Sequence, residues 1–245
     1  MAAADVPPCR LGVLAFGDSI TNGGGELQWG VALQSWALWT ARGLGLPYTG
    51  YARDGARAAD LVREQLGAFT ADVAPAARYD VGTLYVGVND VCAADWEPAA
   101  FARDHAQALA TLLERCDRVL AVTLPLDLGR PPAGHVDAGN AIVLANARAA
   151  GALVLDLRGF AGRGLVMTDH VHPTAFGQIA IAERALAVLA ADGLPTRRPP
   201  RTLVAYETTR RGRLRGDATY AYRHAKVSAR AAWIRARAAR ARRAA

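Results

Sequence analysis

The chain has 245 residues, 52% hydrophobic and 21% charged, a balance that excludes a disordered chain and suits one α/β domain with room for an appendage. Its formal charge of +7 is uneven: residues 1–196 hold 14 Arg against 20 Asp and Glu, a net of −6, while residues 197–245 hold 15 Lys and Arg against 2 acids, a net of +13. No run approaches the roughly 18 apolar residues of a membrane span, no basic-then-apolar segment opens the chain, and Cys9, Cys92 and Cys116 have no pairing or metal-ligand spacing, so free thiols and a cytoplasmic location are expected.

Five short apolar runs read as buried strands: 11–16, 47–52, 81–86, 119–124 and 153–157. Segments of helical character lie after them. The first spans 29–44 and the second 56–69. The third, 98–116, has Pro98 in its first turn. The fourth spans 135–150. The fifth runs from Pro173, as first helical residue, to 191, with Gly193 and Pro195 closing it. Strand and helix alternating five times predict a parallel sheet covered on both faces. The domain is expected to end near Pro195, giving a body of 1–195 and an appendage of 196–245. Residues 196–201 read as a linker and 218–243 as a basic helix.

In such sheets the site lies outside the carboxyl ends of the strands. The residues there are Gly17-Asp18-Ser19, Arg53-Asp54-Gly55, Gly87-Val88-Asn89-Asp90, Pro125-Leu126-Asp127 and Arg158-Gly159. Ser19 sits where a strand turns into a helix. Such a turn exposes the hydroxyl and aims backbone N–H groups at it. A serine hydroxyl needs a base to become a nucleophile. Asp169 and His172 stand three residues apart in Thr168-Asp-His-Val-His-Pro173, close enough for the carboxylate to reach the imidazole from one loop. Gly55 offers a backbone N–H with no side chain in the way, and Asn89 offers an amide. His170 and His172 also form a His-x-His pair. No third ligand at metal spacing joins it, since His105, His135 and His224 are scattered. His170 reads as loop filling.

These blocks resemble, in order, those of the SGNH (GDSL) hydrolase family. They are Gly-Asp-Ser after the first strand, Gly55 after the second, Gly-x-Asn-Asp after the third and Asp-x-x-His-Pro before the last helix. The resemblance covers residues 11–191. It departs at the second block, where Tyr51-Ala52-Arg53 stands in place of a frequent Asn-x-Gly. It implies a flavodoxin-like α/β/α sandwich with a five-stranded parallel sheet. It further implies a serine esterase acting on acyl esters or thioesters, with Ser19, Asp169 and His172 catalytic, Ser19, Gly55 and Asn89 forming the oxyanion hole, and no cofactor or metal. The triad serves hydrolysis and acyl transfer alike, so both remain open. Trp29 is a candidate pocket wall, although the series Trp29, Trp36, Trp39 fits core positions. The basic residues 197–245 suit an anionic membrane surface, a nucleic acid, or the acidic body itself.

Overall fold

Alternation within each strand divides the molecule into two cores. Val13 and Ala15 of strand β1 (Val13–Gly17) face one way, and Leu14 and Phe16 face the other. The same period of two recurs in β3 (Tyr79–Tyr85) and β4 (Cys116–Val122), so both faces of the sheet are apolar. With β2 (Tyr48–Gly50) and β5 (Leu153–Leu155) these strands form one parallel sheet in the order β2-β1-β3-β4-β5. The computed structural model from which this is taken describes residues 10–28, 31–129, 132, 134–162, 164–206, 209–219, 221–222, 225–226 and 229.

Helices α2 (Trp36–Leu44) and α8 (Ala175–Ala191) cover the first face, where Trp36, Ile179, Ala182 and Leu186 pack. The second face is covered by α6 (Pro98–Arg115), α7 (His135–Ala150) and the helical segment 58–72, through Leu61, Phe69, Leu109, Leu112 and Val143. Two short helices start directly at strand ends: α1 (Ser19–Asn22) after β1, and α5 (Val88–Val91) after β3. The sheet is the five-stranded parallel one expected, with helices on both of its faces.

Several boundaries differ from the sequence reading. The helix expected over 29–44 begins at Trp36, because the Ser35 hydroxyl caps it by accepting from the Ala37 and Leu38 N–H groups. The last helix begins at Ala175 rather than Pro173, because Thr174 is the cap and accepts from the Gly177 N–H at 3.1 Å. The helix over 56–69 is three joined pieces: α3 (Ala58–Asp60), a π turn at Leu61–Gln65, and α4 (Leu66–Asp72). Residues 196–206 are not a free linker. The Arg197 and Arg198 N–H groups donate to the Gly43 carbonyl at 2.9 and 3.0 Å. Pro200 is buried in a 3₁₀ turn, Pro200–Leu203. Arg201 pairs with Glu183 of α8, and Tyr206 meets Phe176 edge-on. Helix begins by 210 rather than 218. Most of the helix expected over 218–243, and Trp29, lie outside the described residues.

Candidate active site

Three elements converge at the carboxyl end of β1. The first is the nucleophile turn. Asp18 caps α1, its Oδ1 accepting from the Ile20 N–H at 3.0 Å, and Gly23 closes the helix at φ +95°. Ser19 is the first helical residue, half-buried, and its N–H meets no acceptor among the described residues.

The second element is the loop before α8. Asp169 Oδ1 accepts from the Val171 and His172 N–H groups at 2.9 and 3.0 Å, which fixes the carboxylate in its own turn. Its Oδ2 lies 2.7 Å from His172 Nδ1, and His172 Nε2 lies 2.9 Å from Ser19 Oγ. Carboxylate, imidazole and hydroxyl thus form one hydrogen-bonded chain across 153 residues of sequence. The bond to Asp169, reinforced by its charge and by those of Asp18 and Asp54, raises the His172 imidazole above its usual range despite partial burial. Burial pushes Asp169 up, but the imidazole and the two N–H groups outweigh it and hold the carboxyl below the usual range. The arrangement suits a base that must accept a proton and keep its tautomer.

The third element is the pair of loops after β2 and β3. Gly55 takes φ +75°, a backbone conformation that favours glycine, and a Cβ there would meet open space. Its N–H meets no acceptor among the described residues. Asn89 donates one Nδ2 proton to the Ala56 carbonyl at 3.0 Å, which ties it to the Gly55 loop and leaves its other proton. Asp90 accepts from the Ala58 N–H with both oxygens at 3.2 Å, and burial raises its carboxyl to about 6. Asp18 is 1% exposed, its Oδ2 has no partner among the described residues, and burial raises it to about 7.

The structure therefore brings Ser19, His172 and Asp169 into contact and sets Gly55 and Asn89 on adjoining loops. His170 stands apart from them: it adopts φ +60° and its Nδ1 faces Asp127 Oδ2 at 3.2 Å. Sequence reasoning missed two buried amides beside the nucleophile. Gln65 bonds both backbone groups of Gly17, and Gln178 bonds Ile20, Gly24 and Trp36. The one available signal was a glutamine at a buried helical position, as in Leu61-Gln65-Phe69.

This constellation stands at one end of a parallel sheet covered by helices on both faces, an α/β sandwich. Among solved structures the chain is similar to LAE5, an alpha/beta hydrolase enzyme from the metagenome of Lake Arreo, Spain, at 19% identity and a TM-score of 0.59, over 75% of this chain and 96% of that one. It is similar to Axe2, an acetylxylan esterase from Geobacillus stearothermophilus, at 17% identity and a TM-score of 0.56, over 74% and 95%. It is also similar to a lipolytic protein of the G-D-S-L family from Veillonella parvula, at 20% identity and a TM-score of 0.58, over 73% and 98%. No curated protein matches the sequence. The GDSL-like Lipase/Acylhydrolase family matches residues 15–179, and the chain belongs to that family. It is an esterase of the serine type. No helix among the described residues is long and apolar enough to cross a membrane.

Proposed function

We propose that the protein hydrolyses acyl esters with Ser19 as nucleophile, His172 as general base and acid, and Asp169 as the group that orients and charges the imidazole. The observation that carries this reading is the chain Asp169–His172–Ser19, at 2.7 and 2.9 Å. His172 Nε2 takes the Ser19 proton as Oγ bonds the acyl carbon. The carbonyl oxygen gains a negative charge, stabilised by the Ser19 and Gly55 N–H groups and the Asn89 amide. The C–O bond to the alcohol then breaks, and His172 gives the leaving oxygen its proton. Water, deprotonated by His172, then attacks the acyl carbon; the bond to Ser19 Oγ breaks, His172 returns the proton to Oγ, and the acid is released. The test is turnover of short- and long-chain p-nitrophenyl esters by the wild type and by Ser19→Ala. Near-native turnover by homogeneous, folded Ser19→Ala would falsify the assignment.

We also propose that residues 197–245 hold the protein at anionic lipid surfaces. Their net charge of +13 against −6 for the body supports this. So do Leu214 and Tyr222, 59% and 69% exposed among the arginines. Basic residues supply long-range attraction and the exposed apolar groups enter the headgroup layer. Sedimentation with anionic vesicles, released by salt, is the expected result. Binding to duplex DNA but not to vesicles would reassign the surface. The buried thiol of Cys116 supports a cytoplasmic location, which cell fractionation tests.

A further inference from the structure

A parallel strand addresses its two neighbours with alternate residues. In β1, Ala15 and Gly17 turn toward β2, since they accept from the Tyr51 and Arg53 N–H groups, and Asp18 turns toward β3 by donating to Tyr85. But β2 ends at Gly50, opposite Ala15. Past that point the Gly17 carbonyl still meets the Arg53 N–H, but the Gly17 N–H has no backbone acceptor among the described residues, two residues before the nucleophile. Left unpaired and buried, that N–H would carry its full desolvation penalty.

The Gln65 side chain fills that position. It accepts from the Gly17 N–H at 3.0 Å and donates to the Gly17 carbonyl at 2.7 Å, standing in for the carbonyl and N–H that flank a residue of a longer β2. Gln65 is 1% exposed and closes the π turn Leu61–Gln65. Such turns recur at functional sites. The Gly17 carbonyl also accepts from the Arg53 N–H at 3.2 Å, so a single oxygen joins Gln65, the nucleophile turn and the loop of Gly55.

Gln178 does the corresponding work on the other side. It is fully buried in α8, six residues past His172. Its Nε2 donates to the Ile20 and Gly24 carbonyls, both at 3.0 Å, and its Oε1 accepts from the Trp36 N–H at 2.8 Å. The helix that follows the histidine loop is thereby pinned to the turn that carries Ser19.

We infer that Gln65 and Gln178 are positioning residues for the nucleophile: Gln65 sets the Ser19 turn against the Gly55 loop, and Gln178 sets it against the His172 loop. The inference rests on the Ser19–His172 reading above. The molecule contains its own control. Asn140 bonds both backbone groups of Leu124 in the same way, 2.7 Å and 3.0 Å, past the end of a different strand that carries no proposed catalytic group.

The experiment compares wild type with Gln65→Met, Gln178→Met and Asn140→Leu, each measured per folded molecule. It reads kcat, KM and the rate of fluorophosphonate labelling of Ser19. Misalignment of about 1 Å can cost roughly a hundredfold. Both glutamine variants should lose about 10- to 100-fold in kcat and in labelling rate, with KM within about threefold. Asn140→Leu should lose thermal stability and keep kcat and labelling within about threefold. If a methionine variant does not fold, Gln65→Glu and Gln178→Glu, which keep an acceptor and lose the donor, are read by the same criterion. Glutamine variants that are destabilised yet label and turn over like the wild type would overturn the inference. A wild type that does not label at Ser19 would instead overturn the triad reading itself.

Discussion

Two histidines of this molecule sit in opposite surroundings. His172 lies half-buried in a polar loop, 2.7 Å from a carboxylate, and its imidazole is raised above the usual range. His105 lies on α6 facing α7, 1% exposed, with Phe101 beside it and, among the described residues, the Asn146 amide alone near its Nδ1, at 3.3 Å. Its Nε2 has no partner among the described residues, and burial lowers the imidazole to about 4. The same side chain is thus prepared to take a proton in one place and to refuse it in the other. What separates them is a carboxylate at hydrogen-bond distance, which outweighs desolvation at His172 and is absent from the contacts of His105.

The largest expected effect tests that separation directly. His172→Ala should lower ester turnover by about 10⁴-fold or more, because base and nucleophile act as a unit. His105→Asn should leave turnover per folded molecule near the wild-type level. Steady-state kinetics with circular dichroism checks both; similar losses in the two variants would erase the distinction. Asn89→Ala follows, with kcat down about 10²- to 10³-fold and KM little changed, since an oxyanion donor acts mainly in the transition state. A change confined to KM would make Asn89 a substrate-binding residue instead.

The pH profile sharpens the contrast. A base must be neutral to act, and the His172 imidazole is raised, so activity falls as pH drops through a value above 6.5. Asp169→Asn should move that acid limb of kcat/KM downward while reducing kcat. An unmoved limb would assign it to another group, with Asp18 and Asp90 the candidates, raised by burial to about 7 and 6.

The shift carries the opposite sign at His105 and acts on stability. Its folded-state value lies below the unfolded one, so its contribution is present above about 6.5 and is lost as pH falls toward 4, at up to about 1.4 kcal/mol per unit. Asp18 and Asp90 oppose this, because burial raises them and they favour the folded state in acid. The measurement is therefore the difference in denaturation free energy between wild type and His105→Asn from pH 7 to pH 5. A difference independent of pH would remove His105 from the account. The smallest effect concerns the C-terminal segment. Ending the chain at 195 should lower Tm by roughly 5 °C, through loss of Pro200, Tyr206 and the Arg201–Glu183 pair, whereas ending it at 206 should not. Equal Tm values would restore 196–206 to a linker.

The sheet was legible in the sequence because fully buried strands are short apolar runs, and 153–157 or 81–86 have no other reading between helical segments. The candidate site was legible because its groups cluster at strand ends, and Asp169 and His172 share one loop. The start of α2 was not, because Ser35 interrupts an apolar pattern that continues through it. The contacts of 196–206 were not either, because a Pro- and Arg-rich stretch has the composition of a linker whether or not it is docked.

By itself the sequence determined the alternation of strand and helix, the residues at each strand's carboxyl end, and the acidic body with its basic appendage. These are properties of local pattern and composition. Only the tertiary structure decided which distant groups meet: Ser19 with His172, Asn89 with the Ala56 carbonyl, Gln65 with Gly17 and Gln178 with Ile20 and Gly24. Those pairings follow from strand order, from β2 ending short of Gly17, and from a π turn that leaves no mark in the spacing of side chains. A glutamine on an apolar helical face reads as a flaw in the pattern until the unpaired backbone it completes is in view.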